Sequence, residues 1–331
     1  MTGVIIMSPM SSIQLPDPTS WGGALLLPNL GIIQVEGADA ASFLHGQLSQ
    51  DVESQQASEA RLAAYCSAKG RMLASTLNLR PQPEQIWLLT DSQVLPGLLK
   101  RLTMFVLRSK AKLSDMNGAL AVVGLLGAPA AAQLGEAAKA VAAWQVAPHE
   151  NGWLVGLPQV LGAHRWYWVG PSAQAQAMVA ALPAVESGAW NWLEVMSGIP
   201  RIEPATVEQF VPQMVNFELI GGVNFKKGCY PGQEVVARSQ YRGTTKRRAF
   251  IVHAEQALQA GQEIFSTTDP GQPAGLVINS ASVGSSHSAL VELKLAAQGA
   301  DLRAQSAQPA EGMKLQLAMP PYELPAADEA A

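Results

Sequence analysis

The sequence is poor in cysteine and in paired metal-binding side chains. Two of the 331 residues are cysteine, Cys66 and Cys229, and five are histidine. The cysteines lie too far apart for a CxxC motif, and the histidines show no HxH or HExxH spacing. We therefore expect neither a disulfide scaffold nor a bound metal, and a chain that works in a reducing compartment, most simply the cytoplasm.

Long apolar runs and nucleotide-binding glycine motifs are also missing. The stretch from Asn117 to Gly135 carries no charge, but its four glycines and Pro129 indicate a strand, a turn and a helix rather than a membrane span. The N-terminus lacks the basic and apolar regions of a signal peptide. Because neither G-x-G-x-x-G nor G-x-x-x-x-G-K-[ST] occurs, a Rossmann or P-loop site is not indicated.

Charge is scarce as well, whereas apolar side chains are abundant. Charged residues make up 15% of the chain and the net charge is −4, which argues against a protein that coats nucleic acid. Hydrophobic residues make up 48%, enough for a large core. A chain of this length forms two or three packed units, because single cores seldom grow past about 250 residues.

The order of strand-like and helix-like segments predicts an α+β protein. From Leu30 to Leu182 short strands alternate with helices, with hairpin links such as Lys69-Gly70. After Gly243 short strand-like runs separated by glycine, proline and serine favour a β-barrel. We expect a flexible leader over 1–21, an α+β region of two subdomains over 22–243, a barrel over 244–324 and a disordered tail over 325–331.

The loop "KKGCYPGQEVVAR", residues 226–238, gives Cys229 an unusual setting. Pro231-Gly232 suits the centre of a type II turn, and a helix is expected to begin at Gln233-Glu234. A position before a helix N-terminus and close to Lys226 and Lys227 favours the thiolate and would lower the pKa of the thiol. The alternative is a small buried hydrophobe, which is the commoner fate of a free cysteine.

Positive charge is concentrated around the same loop. Residues 226–248 contain seven cations against one carboxylate, Glu234. This asymmetry predicts either a site for a carboxylate tail, a phosphate or an RNA backbone, or simply a solvated face of the fold. The cations are Lys226, Lys227, Arg238, Arg242, Lys246, Arg247 and Arg248.

A tryptophan-rich segment, "SGAWNWLEVMSGIPRI", is predicted to form a short helix over 189–197. Trp192 and Met196 would share one face, which favours packing in the core, although an indole can also stack on a flat heteroaromatic ligand. Cys66 follows Tyr65 in an apolar strand and is expected to be inert packing.

The sequence around Cys229 resembles the K-G-C-[FY]-x-G-Q-E signature of the YgfZ family. The members of this family are folate-binding proteins related to the T-protein (aminomethyltransferase) of the glycine cleavage system. The likeness extends over most of the chain and includes "VEGADAASFLHGQLSQDV", "CSAKGRM", "SGIPRI", "EQFVPQMVNFELIGGVNFKKGCYPGQE" and "YRGTTKRRAF". It implies a T-protein fold of two α/β subdomains around a central folate site, plus a C-terminal β-barrel. It further implies a bound tetrahydrofolate and a role in assembling or repairing iron–sulfur clusters in proteins such as the radical enzymes that thiolate tRNA.

The resemblance also assigns individual positions. The signature matches Lys227, Gly228, Cys229, Tyr230, Gly232, Gln233 and Glu234, with Arg238 at the end of the same stretch, and it makes Cys229 the essential thiol. A tryptophan linked to folate in the family matches Trp192, whereas Leu30 stands where the family has a second one. Where the T-protein has its catalytic aspartate this chain reads Leu95-Pro96-Gly97, so aminomethyl transfer is not expected and enzymatic activity stays open.

Three functional hypotheses follow. The first is a folate-binding accessory protein that supports iron–sulfur proteins, and thereby tRNA modification, through Cys229. The second is a folate-dependent transferase of aminomethyl, formyl or methyl groups. The third is a direct RNA-binding module that uses the basic stretch around Lys246–Arg248, and the overall negative charge disfavours it. No membrane partner is expected.

Overall fold

The computed structural model describes residues 15–241, 245–304 and 312–325. These residues form two five-stranded sheets, a closed six-stranded barrel and seven α-helices. The predicted leader lies mostly in residues 1–14, outside the described residues, as does the tail from 326 onward. Within residues 15–21, Pro18–Ser20 forms one 3-10 turn and Trp21 lies edge-on to Trp192.

The two sheets are antiparallel and come from interleaved parts of the chain. Sheet I runs in the order β1 (Gly23–Leu26), β7 (Leu120–Leu126), β10 (Arg165–Pro171), β9 (Gly152–Gly156) and β8 (Val146–His149). Sheet II runs in the order β3 (Arg61–Cys66), β4 (Met72–Gln82), β5 (Gln85–Asp91), β2 (Leu30–Glu36) and β6 (Lys112–Asp115). Antiparallel pairing with short links confirms the α+β prediction and excludes a parallel doubly wound sheet.

Helices cover the outer faces of both sheets. The helices are α1 (Ala40–His45), α2 (Leu95–Val106), α3 (Gly127–Leu134), α4 (Glu136–Ala140), α5 (Ser172–Ala180), α6 (Ser187–Met196) and α7 (Gln233–Tyr241). Buried side chains of α1 and α2 pack on sheet II, and those of α3 and α5 pack on sheet I. Because successive strand residues face opposite ways, Ile33 lies in the core under α1 and α2 while Ile32 faces the core shared by both sheets.

The C-terminal strands close into a barrel, as the spacing of turn residues predicted. Its order is β11 (Arg247–Ala254), β14 (Ser286–Lys294), β13 (Gly275–Val283), β12 (Glu263–Ser266), β15 (Leu302–Ala304) and β16 (Lys314–Ala318). Helix α6 packs against β13 and β14. The core between the sheets continues through this helix to the barrel, which holds the three parts together.

The sequence predicts Asp39 as the N-cap of α1 and Pro129 as the start of α3. Asp39 does hold the N-cap position. Asp39 makes no side-chain hydrogen bond to the start of α1, and its carboxylate instead accepts the amide N–H of Lys110 at 2.7 Å. Helix α3 begins at Gly127 rather than at Pro129. No helix in the described ranges is long and apolar enough to span a bilayer.

Candidate functional site

A cavity lies between the two sheets, where their shared core stops short of filling the space. The space enclosed by its lining, together with the part that opens to solvent, is about 570 Å³. The lining residues are Leu30, Leu62, Ser75, Thr76, Leu77, Leu89, Thr90, Trp144, Leu157, Arg165, Tyr167, Glu194, Ile199, Pro200 and Arg201. Apolar walls with a few polar groups are typical of a pocket for a flat organic molecule.

The polar centre of this cavity is a carboxylate held from two sides. Glu194 projects from α6, and its Oε1 accepts a hydrogen bond from Arg165 Nη1 on β10 at 2.6 Å. Its other oxygen, Oε2, accepts one from the hydroxyl of Tyr167 at 3.2 Å. Each carboxylate oxygen can accept a further bond, so both can still bind donors of a ligand.

The electrostatics of this triad fix which groups donate. Burial raises the pKa of Tyr167, and the nearby charge of Glu194 raises it further, so the phenol remains a neutral donor at physiological pH. The guanidinium of Arg165 is 1% exposed, and within the described chain its Nε has no hydrogen-bond partner. This buried N–H is therefore an unsatisfied donor in the wall of the site.

Arg201 marks the border between the cavity and a second, more polar pocket. Its Nη2 donates to Glu203 Oε1 at 3.3 Å, and its Nε lies 3.7 Å from Asp91 Oδ2. Its backbone N–H donates to Asn279 Oδ1 on β13 at 2.9 Å, which ties the loop after α6 to the barrel. Glu194 and Arg201 line both pockets, so the two spaces adjoin.

The two positions linked to folate by resemblance are placed differently. Leu30 lines the cavity. Trp192 is fully buried, its indole N–H donates to Ser288 Oγ at 3.0 Å, and it does not line the cavity. The indole of Trp192 thus packs toward the barrel, as the core interpretation predicted, and cannot stack on a ligand in this conformation.

Trp144 is the indole that the fold brings to the cavity. Its backbone N–H donates to Gly156 O at the end of β9, and its carbonyl accepts from the N–H of Ala60, just before β3, both at 2.8 Å. These bonds hold it at a φ of +64°, an unfavourable region for a large side chain. Sequence reasoning missed Trp144 because its position depends on contacts between segments far apart in sequence.

Sequence reasoning also missed Glu194, Arg165 and Tyr167. The one available signal was Glu194, a charged residue inside the apolar helix segment "WNWLEVM". The segment Leu95-Pro96-Gly97, which stands where the T-protein has its catalytic aspartate, contributes no carboxylate to the site. Leu95 begins α2 and is buried under sheet II, and the nearby Asp91 accepts the backbone N–H groups of Gln93 and Val94.

The loop around Cys229 has the predicted local geometry. Gln233 N–H donates to Tyr230 O at 3.2 Å and Gly232 has a φ of +78°, which together define the type II turn. Helix α7 begins at Gln233, as predicted, although it continues past Arg238 to Tyr241. Cys229 is exposed at the tip of the loop.

Two glycine turns lock this loop onto the β3–β4 hairpin. A Cβ atom added at Gly232 would lie 2.3 Å from the carbonyl oxygen of Ser67, and one at Gly70 would lie 2.8 Å from Cβ of Val235. Gly70 also has a positive φ of +71°. The segments "CSAKGRM" and "CYPGQE" therefore meet in space, and glycine is required on both sides of the contact.

Lys227 anchors the loop on the segment that follows α1. Its Nζ donates to the carbonyls of His45 and Leu48, the latter at 2.8 Å, and lies 5.0 Å from the ring centre of Tyr230. Burial lowers the pKa of Lys227 to about 8, against the opposing negative charges of Asp51, Cys229 and Glu53. Cys229 therefore lies near three ionisable side chains, those of Lys227, Asp51 and Glu53.

His45 belongs to the same group. Its Nδ1 lies 3.1 Å from Asp51 Oδ1, and a Cβ at Gly228 would lie 3.6 Å from its Nε2. The imidazole is thus oriented by a carboxylate while its other nitrogen faces the backbone beside Cys229. The remaining signature side chains are less involved, since Gln233 donates to Gly228 O at 3.3 Å, whereas Glu234 and Arg238 are exposed.

Cys66 lies in the adjoining strand but differs chemically. Its side chain is buried, and burial raises the pKa of its thiol to about 12. The expectation that Cys66 is inert packing agrees with this environment. In the described residues no group of three or more His, Cys, Asp and Glu side chains is arranged to hold a metal ion.

The basic stretch does not form one open patch. Arg248 is buried and pairs with Glu218, and Arg247 contacts both oxygens of Glu292 at 2.7 and 2.8 Å. Arg242 lies outside the described residues. The carboxylates that pair with Arg247 and Arg248 come from other parts of the chain, so a charge count within the stretch overstated its free charge.

The fold is that of a known enzyme class. The glycine cleavage system aminomethyltransferase T of Bartonella henselae matches with a TM-score of 0.73, covering 91% of this chain and 86% of that protein at 16% sequence identity. The chain therefore has the aminomethyltransferase T fold, with the closed C-terminal barrel at one end of the chain.

Sequence comparison then gives the family, although no protein-family model matches the chain. The tRNA-modifying protein YgfZ of Yersinia pseudotuberculosis serotype O:1b (strain IP 31758) is 30% identical over 244 residues, 72% of this chain and 73% of that protein. The tRNA-modifying protein YgfZ of Vibrio vulnificus (strain YJ016) is 33% identical over 230 residues, 68% of each. The chain belongs to the YgfZ family.

Proposed function

We propose that this protein binds a reduced folate in the central cavity and acts through Cys229 in support of iron–sulfur proteins, including enzymes that modify tRNA. The observation that carries the folate assignment is the Glu194 carboxylate held by Arg165 and Tyr167 inside a cavity of mostly apolar walls. The pterin ring of folate is flat and presents a ring N–H and an amino group side by side. Two parallel donors of this kind match the two oxygens of a carboxylate.

The side chains around Glu194 fit the rest of such a ring. Trp144 offers an aromatic face for stacking, and Leu30 fills a wall where the family resemblance places a second tryptophan. Arg201, at the border of the cavity, is the cation available to the acidic tail.

Calorimetric titration with tetrahydrofolate tests this site. We expect binding by the wild type and affinity about tenfold weaker or worse in Glu194→Gln, because a charge-assisted bond becomes a neutral one. Trp144→Ala should weaken binding by a similar factor. Glu136→Gln, on the exposed helix α4, is the matched control and should bind like the wild type.

The outcomes separate the parts of the proposal. Equal affinity of the wild type and Glu194→Gln would reject the carboxylate as the recognition group. No binding by the wild type would reject the folate assignment as a whole.

Two observations support a role for the Cys229 thiol, namely the names of the relatives and the exposure of the side chain. The relatives are named tRNA-modifying proteins, and Cys229 is exposed beside Lys227 and the His45–Asp51 pair. In a strain that lacks the protein, we expect wild type and Cys66→Ala to restore the activity of iron–sulfur enzymes and the thiolation of tRNA. Cys229→Ala should restore neither, and full rescue by that variant would exclude the role.

A further inference from the structure

The end of α2 carries large apolar side chains in an exposed position. Met104 is 64% exposed, Phe105 is 50% exposed and Leu107 is 86% exposed. The apolar face of the same helix is already used, because Leu95, Leu98 and Leu102 are buried against sheet II. The three exposed residues, called the cluster below, therefore place apolar surface in solvent at one end of the helix.

Leu107 also has a backbone conformation that disfavours leucine. It follows the last residue of α2 with a φ of +40°, a conformation that favours glycine because glycine has no Cβ. A side chain with a Cβ has a conformational cost at a positive φ. At 86% exposure its packing offsets little of that cost, so folding alone does not explain a leucine at this position.

Positive charge surrounds this cluster. The range 95–114 contains five cations and no carboxylate, in a chain with a net charge of −4. The cations are Lys100, Arg101, Arg108, Lys110 and Lys112, and all are exposed. Lys112 pairs with Glu36 at 3.3 Å, and the carboxylate of Asp39 accepts the backbone N–H of Lys110 at 2.7 Å. Within the described ranges the side chains of the other four cations make no ion pair.

The cluster lies on the same part of the fold as the thiol loop. Arg101 is close enough to Tyr65 that its charge opposes the rise that burial causes in the pKa of that phenol. Tyr65 in turn pairs with Leu48 through a backbone bridge, and the carbonyl of Leu48 accepts a hydrogen bond from Lys227. A partner bound to the cluster would thus cover the solvent side of α2, and the contacts through Tyr65 and Leu48 connect this helix to the lysine beside Cys229.

We propose that residues 100–112, the α2 corner, are a docking surface for an acidic protein that inserts Leu107 and its apolar neighbours into a groove. Protein interfaces combine an apolar centre, enriched in Met, Phe and Arg, with a charged rim, and the α2 corner has this composition. Complementary charge would favour the encounter with an acidic surface. This inference concerns the partner of the proposed thiol site, but the α2 corner can be tested independently of folate and of Cys229.

Other occupants fit less well. An RNA site uses several flat aromatic side chains for stacking, and the α2 corner has one, Phe105. A helix that lies in a membrane surface presents an apolar face along its length, whereas that face of α2 is buried on sheet II.

The test uses the full chain and two synthetic peptides of equal negative charge. One carries glutamate with leucine at helical spacing, and in the other serine replaces leucine. We expect the leucine peptide to bind at least about tenfold more tightly, and Arg108→Glu and Leu107→Gly each to weaken it about fivefold or more. Leu107→Gly should leave Tm unchanged or raise it, because glycine relieves the backbone strain.

Leu161→Gly is the matched control, since Leu161 is also exposed (52%) with a φ of +48° but lies away from the α2 corner. It should leave peptide affinity at the wild-type value. The same variants are tested against tRNA, against vesicles of phosphatidylglycerol, and by sedimentation velocity for self-association. The proposal is overturned if both peptides bind equally or not at all, or if the α2-corner variants instead abolish binding to tRNA, to vesicles or to a second copy.

Discussion

Arg165 and Glu194 form an ion pair of 2.6 Å at the wall of the central cavity, although the arginine is almost completely buried. The arginine is on β10 of sheet I and the glutamate on α6, so the pair joins the sheet to the helix that contacts the barrel. Removing both charges from water is costly, and a well-packed apolar pair can be as stable. The ion pair is therefore not by itself a strong source of stability.

Removing the arginine of this ion pair should lower the stability of the fold, because the Glu194 carboxylate is then left without its cation. We expect Arg165→Met to lower the free energy of unfolding by about 3 kcal/mol, because Glu194 then lacks its cation inside a largely apolar cavity. Adding Glu194→Gln to Arg165→Met should recover part of the loss, since no charge remains. Urea denaturation measures both effects, and a change below about 0.5 kcal/mol in Arg165→Met would show that the carboxylate is solvated.

A second prediction concerns the turn beside the thiol. Gly232→Ala combines a positive φ with a contact of 2.3 Å to Ser67 O, whereas Gly221→Ala has a similar φ of +82° and open space around the new Cβ. Gly221→Ala should cost about 1 kcal/mol from the backbone alone. Gly232→Ala should cost clearly more, and hydrogen exchange should show faster opening of residues 226–238. Equal losses would mean that the contact with the β3–β4 hairpin relaxes freely.

Local patterns in the sequence were sufficient for the α+β class, the C-terminal barrel and the turn of the thiol loop. Alternating apolar residues predicted the strands, and Pro231-Gly232 predicted the turn that the structure confirms. The family resemblance supplied the T-protein architecture, which the structural match confirms.

The interior of the site could not be predicted in the same way. Trp144, Arg165 and Glu194 come from three separate elements, and only the packing of sheet I, sheet II and α6 brings them to one cavity. The prediction of a positively charged site over residues 226–248 overstated the free charge for a related reason. Glu292 and Glu218, which pair with Arg247 and Arg248, lie outside this stretch in sequence. Long-range pairing of this kind leaves no signal in residue spacing.

A third prediction concerns pH. Burial lowers the pKa of Lys227 from 10.5 to about 8 in the folded chain. Between those values the unfolded chain binds more protons than the folded chain, so this group makes stability rise with pH. The difference in unfolding free energy between wild type and Lys227→Met should therefore grow in favour of the wild type from about pH 8 to pH 10.5. Lys226→Met, at the neighbouring exposed lysine, should keep the wild-type slope, and a flat difference would contradict the shift.

The last prediction distinguishes the two thiols. In the native protein iodoacetamide should modify Cys229, which is exposed, and spare Cys66, whose thiol is buried with a pKa of about 12. At pH 7.5 roughly one in ten thousand or fewer of the Cys66 thiols is ionised, and burial blocks access as well. Mass spectrometry should show one label on wild type and Cys66→Ala, none on Cys229→Ala, and two on wild type unfolded in urea. Labelling of native Cys229→Ala would show that strand β3 opens at this end. In that case Cys66 could take part in the chemistry assigned here to Cys229 alone.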